Sequence, residues 1–258
     1  MLRWPLVLCA ILSLAIAPAQ PPWQLVWSDE FNGPANAPPD PAKWTFDIGN
    51  NNGWGNRELE TYTKDAANAH TDGNGNLVIR ADPAPAYNSA RIKTQGLFAT
   101  GPGRVEARIK IPAGNGLWPA FWMLGNTFNS RNWPQCGEID ILGREPSVNH
   151  GSLHGPGYSG SKPMTAIYTL PNGKKFADDF HTFAIDWTST SVTFYVDDTA
   201  YNTVRHTDIP AGASWVFNQP FFLLFNLAVG GNFAGPVGEE TVFPQEMLVD
   251  YVRVYNRP

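Results

Sequence analysis

Val105, Ala107, Ile109 and Ile111 alternate with Glu106, Arg108 and Lys110. This period of two is the feature that most constrains the fold. Successive side chains of an extended strand point to opposite faces, so the run reads as a strand with one apolar and one polar face. Similar stretches recur at Leu77–Ala81, Thr182–Trp187, Val192–Val196, Phe221–Val229 and Leu248–Tyr255. Turn signals separate them, among them Asp72-Gly73-Asn74-Gly75, Pro112-Ala113-Gly114-Asn115-Gly116 and Gly230-Gly231-Asn232. With 24 glycines and 23 prolines the chain is too rich in helix breakers for a bundle. Helix is expected only as short turns, for instance near Phe176–Phe180. Even spacing and the lack of an internal repeat argue for one all-β domain, a sandwich or barrel of antiparallel sheets.

Composition removes several function classes. Charged residues make up 16% and hydrophobic residues 43%, a balance that buries a core and excludes charge-driven disorder. The net charge of −5 lacks the basic stripe of a nucleic-acid binder. No apolar run reaches the roughly 18 residues of a membrane span. The aromatic load is high, with 10 Trp, 8 Tyr and 15 Phe; such a load suits a large β core, platforms that stack on sugars, or both.

The N-terminus reads as an address. Arg3 precedes the apolar stretch Leu6–Ile16, and Ala17-Pro18-Ala19 has the small-x-small pattern of a secretory cleavage site. Residues 1–19 are therefore expected to be a signal peptide, with residues 20–258 forming the mature, secreted domain. Cys9 leaves with the leader, so Cys136 remains as the sole cysteine and no intramolecular disulfide forms.

The most informative stretch is Gly137-Glu-Ile-Asp-Ile-Leu142. On a strand, Glu138 and Asp140 share one face while Ile139 and Ile141 face the other layer. Two acids side by side are unfavourable unless solvent, a cation or catalysis uses them, and paired carboxylates are the equipment of glycoside hydrolysis. By itself the pattern fits a solvated acidic face equally well.

The surrounding residues resolve that choice. Trp133-Pro-Gln-Cys-Gly-Glu-Ile-Asp-Ile141 resembles the active-site strand of glycoside hydrolase family 16, the laminarinase-like enzymes. Leu25–Phe31, Gly53–Asn56, Ser89–Gly96, Gly103–Arg108, Gly116–Leu124, His150–Gly160 and Leu248–Tyr255 resemble further family segments in the same order. The resemblance spans the mature chain. It implies a β-jelly-roll sandwich of two antiparallel sheets with a concave cleft, acting as a monomer in retaining hydrolysis of β-1,3-glucan. A non-catalytic glucan binder and a mixed-linkage β-glucanase are the alternatives.

The family motif is Glu-x-Asp-x-x-Glu, with nucleophile, tuning Asp and acid/base kept on one face by a bulge. Glu138 and Asp140 match its first two positions. The third position holds Gly143, as though three residues including the acid were deleted. The next carboxylate, Glu145, has the wrong parity for the same face unless the backbone bulges. Three readings stand: Glu145 replaces the acid, the protein is a slow or inactive glucan binder, or the sequence carries an error or an engineered deletion.

Other residues follow from the strand pattern and the resemblance. Trp118, Ala120 and Trp122 fall on one strand face, either a sugar platform or core. Trp54, Asn56 and Arg91 match positions that contact glucosyl hydroxyls in the family, with a plain turn aromatic as the alternative for Trp54. Trp133 precedes the acidic strand and can stack a neighbouring sugar. His150 and His154 share a face and are expected to hydrogen bond substrate or a carboxylate, or to be structural. No cofactor is expected in catalysis. The resemblance implies a structural calcium ion, with Asp250 joined by the backbone carbonyls of Glu30 and Gly75; a solvated Asp250 is the alternative.

Overall fold

The computed structural model describes residues 22–83, 85, 87–143 and 147–257. The expected leader and Glu145 lie outside them. Two antiparallel sheets dominate. One runs in the order Met164–Thr169, Val148–His154, Glu138–Gly143, Leu117–Gly125, Phe221–Val229, Arg91–Lys93 and Thr45–Asp47. The other runs Thr199–Arg205, Ser191–Val196, His181–Trp187, Arg104–Lys110, Gln245–Asn256, Leu77–Ala81 and Ala69–Thr71. Gln24–Asp29 pairs with the far end of Gln245–Asn256.

The period-two pattern sets which side of each strand meets the core. Val105, Ala107 and Ile109 are fully buried, and Glu106, Arg108 and Lys110 face outward on the same strand. From the facing sheet, Phe121, Met123, Ile139, Leu153 and Phe225 enter the same core. Phe121 and Phe225 stack with ring centroids 4.7 Å apart; offset pairs of this kind contribute about 0.5–1.5 kcal/mol beyond the area they bury. Phe221–Val229 is buried along its whole length. It lies between Leu117–Gly125 and Arg91–Lys93, with Phe221, Leu223, Phe225 and Leu227 in the core and Phe222, Leu224 and Asn226 on the cleft side.

Helix is as scarce as the sequence implies, but its placement differs. Among the described residues it is confined to a 3-10 turn at Pro171–Gly173 and a single turn at Gly231–Ala234. Phe176–Phe180 forms only a turn, closed by Asp178 N donating to Lys175 O at 3.0 Å. Cys136 is a buried free thiol.

Candidate active site

The second faces of the first sheet form a cleft of about 690 Å³. Glu138 and Asp140 stand in it because their strand alternates, with Ile139 and Ile141 buried behind them. Glu138 lies opposite Leu124 and His154 in the flanking strands, and Asp140 lies opposite Trp122 and Ser152. The ladder slips between Asp140 and Leu142, so Ile141 is the extra residue of a bulge. Beyond it Leu142 pairs with Phe121 and Gly143 with Ala120. Parity is thereby reset: Gly143, rather than Leu142, returns to the side of Asp140. The fifth position after Glu138 faces the cleft and carries no side chain.

His154 ties the acids together. Its Nε2 is 3.1 Å from Asp140 Oδ2 and 3.7 Å from Glu138 Oε1. Burial opposes protonation of this imidazole, but the hydrogen bond to Asp140 and the charges of Asp140 and Glu138 outweigh it and raise its pKa to about 9. Burial, then the adjacent Asp140 charge, push the Glu138 carboxyl well above the usual carboxylate range, while His154 and Arg91 pull the other way. These three residues are the one group of carboxylate and imidazole side chains, among the described residues, close enough to share a cation. A protonated His154 already supplies positive charge there.

The aromatic wall assembles around this centre. Trp118, Ala120 and Trp122 line the cleft together, as do Trp54, Asn56, Arg91, Trp133, His150 and His154. Trp122 is fixed by its Nε1–H donating to Asn226 Oδ1 at 2.8 Å. The Arg91 guanidinium lies 4.6 Å from the Trp122 ring and 4.8 Å from that of Trp54, and its Nε is 2.9 Å from Asp47 Oδ2. Arg91 thus bridges two rings that are far apart in sequence. Trp133 packs against His154 at 5.9 Å, and Trp118 against Phe233 at 4.5 Å. His150 also contacts Phe233, edge to face.

Sequence reasoning missed several members of this site. Asp47 and Asn226 orient Arg91 and Trp122, and Phe233 extends the aromatic wall from the single helical turn. Glu58 also lines the cleft. Its signal was the spacing of Glu58 and Glu60, two acids of equal parity next to Gly53-Trp-Gly-Asn56.

The residues expected at a calcium ion lie on the other sheet and its edge. Asp250 has no register partner in either ladder of its strand, because a bulge falls between Val249 and Tyr251. Arg108 Nη1 donates to Asp250 Oδ2 at 2.6 Å. The Glu30 carboxylate is taken by Arg253 through two hydrogen bonds, of 3.0 and 2.7 Å. Gly75 has φ +90° in its turn. A calcium ion there would have to share Asp250 with the Arg108 guanidinium, which already occupies one of its carboxylate oxygens.

Comparison with known proteins agrees with this geometry. Residues 56–252 match the profile of glycosyl hydrolases family 16. A beta-glucanase of Rhodothermus marinus is 40% identical over 268 residues, covering 97% of this chain and 91% of its own. The catalytic domain of an endo-1,3-beta-glucanase (laminarinase) from Thermotoga petrophila superposes with a TM-score of 0.87 at 44% identity, covering 92% of this chain and 99% of that one. SCLam, described as a non-specific endo-beta-1,3(4)-glucanase, superposes with a TM-score of 0.81 at 34% identity, covering 93% of this chain and 97% of its own. That structure presents a 1,3-beta-D-cellobiosyl-glucose at its active site.

Proposed function

The chain belongs to glycosyl hydrolase family 16, and on that footing we propose that it acts on β-1,3-linked glucan by retaining chemistry with Glu138 as nucleophile. The observation that carries this reading is the placement of Glu138 beside Asp140 and His154 in a cleft walled by Trp54, Trp118, Trp122 and Trp133. Indole faces stack on the apolar faces of pyranose rings, while Arg91 and Asn56 supply directional donors for hydroxyls.

In this scheme the ionised form of Glu138 attacks the anomeric carbon, the glycosidic C–O bond breaks, and the sugar remains as an ester on Glu138. Asp140 and protonated His154 hold the nucleophile in place and balance its charge as the ester forms. The departing oxygen needs a proton from a second carboxyl about 5–5.5 Å from the nucleophile. The strand position that returns to the cleft after the bulge is Gly143, which has none to give. The reading is therefore of a glucan-binding hydrolase impaired in leaving-group protonation. Glu138→Gln tests the assignment: it should remove all turnover and keep affinity for laminari-oligosaccharides, whereas undiminished turnover would overturn it.

Two further elements belong to the reading. Removal of residues 1–19 on export is supported by the leader pattern and tested by N-terminal sequencing of the exported protein. A structural calcium ion held by Asp250 and the carbonyls of Glu30 and Gly75 would cross-link strand and turns remote from the chemistry.

A further inference from the structure

The loop at residues 50–60 is costly to hold. Asn51, Asn52, Trp54 and Arg57 all have left-handed backbone, with φ of 46°, 55°, 51° and 59°. The loop ends in two acids of equal parity. Glu58 is 9% exposed and Glu60 fully buried, while Leu59 between them is 51% exposed, so both carboxyls lie on the inner side. Asn50 Nδ2 donates to the carbonyls of both residues, at 3.1 and 2.7 Å, and fixes that arrangement.

One oxygen of Glu60, Oε2, accepts from Val229 N at 2.7 Å. The other, Oε1, is buried and meets no donor among the described residues as long as Glu58 is ionised. Glu58, two residues away on the same inner side, is the neighbouring acid whose charge Glu60 meets. Two carboxylates cannot both ionise in such a place, and a buried acceptor without a donor is rare. Glu58 in turn lines the cleft, where its Oε1 accepts from Asn56 Nδ2 at 3.3 Å.

We propose that Glu58 and Glu60 hold one proton between them, carried on Glu58, and that the neutral Glu58 carboxyl is a substrate-binding residue of the cleft, accepting a glucosyl hydroxyl beside Asn56. The inference rests on the glucan reading given above. Burial and the Glu60 charge both favour the protonated form of Glu58; Asn56 and Arg91 oppose it. Tyr62, whose hydroxyl accepts from Asn226 Nδ2 at 3.1 Å, is the remaining titratable neighbour of the pair. Ionisation of Glu58 places a second negative charge against Glu60. The loop is latched to the cleft through Leu59 N to Val229 O at 2.8 Å and Asn232 N to Asn56 O at 2.7 Å, so that repulsion is felt at the binding surface. Alkaline pH then weakens glucan binding.

The experiment is calorimetric titration of laminarihexaose into the full chain from pH 6 to pH 10, for the wild type, Glu58→Gln and Glu60→Gln. Glu138 and His154 titrate in all three proteins, so differences between the profiles isolate the pair. Above the titration of Glu58 the wild type should lose affinity by about tenfold per pH unit relative to Glu58→Gln, and Glu60→Gln, which removes the charge that ionised Glu58 would face, should abolish that loss. Parallel profiles in all three would overturn the shared proton while leaving the glucan reading intact. Absence of binding at every pH would overturn both. Infrared spectroscopy decides the point even if Glu58→Gln binds nothing or folds poorly. In the Glu138→Gln protein a protonated-carboxyl C=O band should persist at pH 7 and vanish on alkaline titration with the onset seen by calorimetry. Its absence at pH 7 would sink the proposal.

Discussion

Gly143 lies opposite Ala120 in the ladder between two cleft strands, three residues beyond Asp140, which lies opposite Trp122. Because Ala120 and Trp122 share a face, Gly143 shares it too. Its backbone is outside the left-handed region, so no backbone strain bars an L residue there. A Cβ at this position would lie 3.3 Å from Trp118 Nε1, a separation that a shift of a few tenths of an ångström in that partly buried ring relieves. The bulge that turns this position to the cleft is present, and the position carries no acid.

Gly143→Glu should therefore raise laminarin hydrolysis by roughly 10²–10⁴-fold, the usual contribution of a positioned general acid. Reducing-sugar release from laminarin measures it. A variant that folds normally and gains nothing would show that the position after the bulge does not present a carboxyl to the glycosidic oxygen.

The platform should matter more for binding than for folding. Trp118→Ala and Trp122→Ala are each expected to weaken laminari-oligosaccharide affinity by about tenfold or more, since stacked rings contribute on the order of 1–2 kcal/mol. Melting temperature and calorimetric affinity, measured together, separate the two effects. Severe unfolding with unchanged affinity in the folded fraction would return both rings to a core role.

Stability should fall on the alkaline side. Burial, with the neighbouring acids, raises Glu58 and Glu138 above their unfolded value of 4.5. Between that value and their folded pKa the native state binds more protons, so each destabilises progressively as pH rises. The contribution of His154 is fully present below its unfolded value of 6.5 and is lost as pH rises through about 9. All three act in the same direction, and the melting temperature should decline from about pH 5 and level off above about pH 9. A flat profile would contradict the protonation states assigned to the cleft.

The calcium site makes a separate claim. Added calcium should raise the melting temperature and a chelator lower it, and Asp250→Asn should abolish the response, with cleft affinity for laminarihexaose unchanged throughout. Indifference of the melting curve to both additions counts against the site.

The strand pattern was legible because burial enforces period two, and Val105, Ala107 and Ile109 fell inside the core as the alternation required. Glu138 and Asp140 shared a face for the same reason. The bulge at Ile141 was not legible from periodicity, since an inserted residue leaves no compositional trace, and it decides which residue faces the cleft. The single turn at Gly231–Ala234 reads as a loop because two glycines open it, yet it delivers Phe233 to Trp118. Glu58 and Glu60 were overlooked because acids beside a Gly- and Asn-rich loop look solvated. Their burial comes from long-range contacts that no local window contains, Glu60 and Leu59 with Val229 and the preceding Asn56 with Asn232.

The most direct test of the account compares two substrates of the unmodified protein: laminarin, and a dinitrophenyl β-glycoside of laminaribiose. Both require attack by Glu138, and only laminarin requires a proton on the leaving oxygen. The account predicts measurable dinitrophenolate release, abolished by Glu138→Gln, alongside laminarin turnover lower by roughly the 10²–10⁴-fold of a missing general acid. Brisk laminarin hydrolysis that disappears in Glu145→Gln would contradict it and establish a relocated acid.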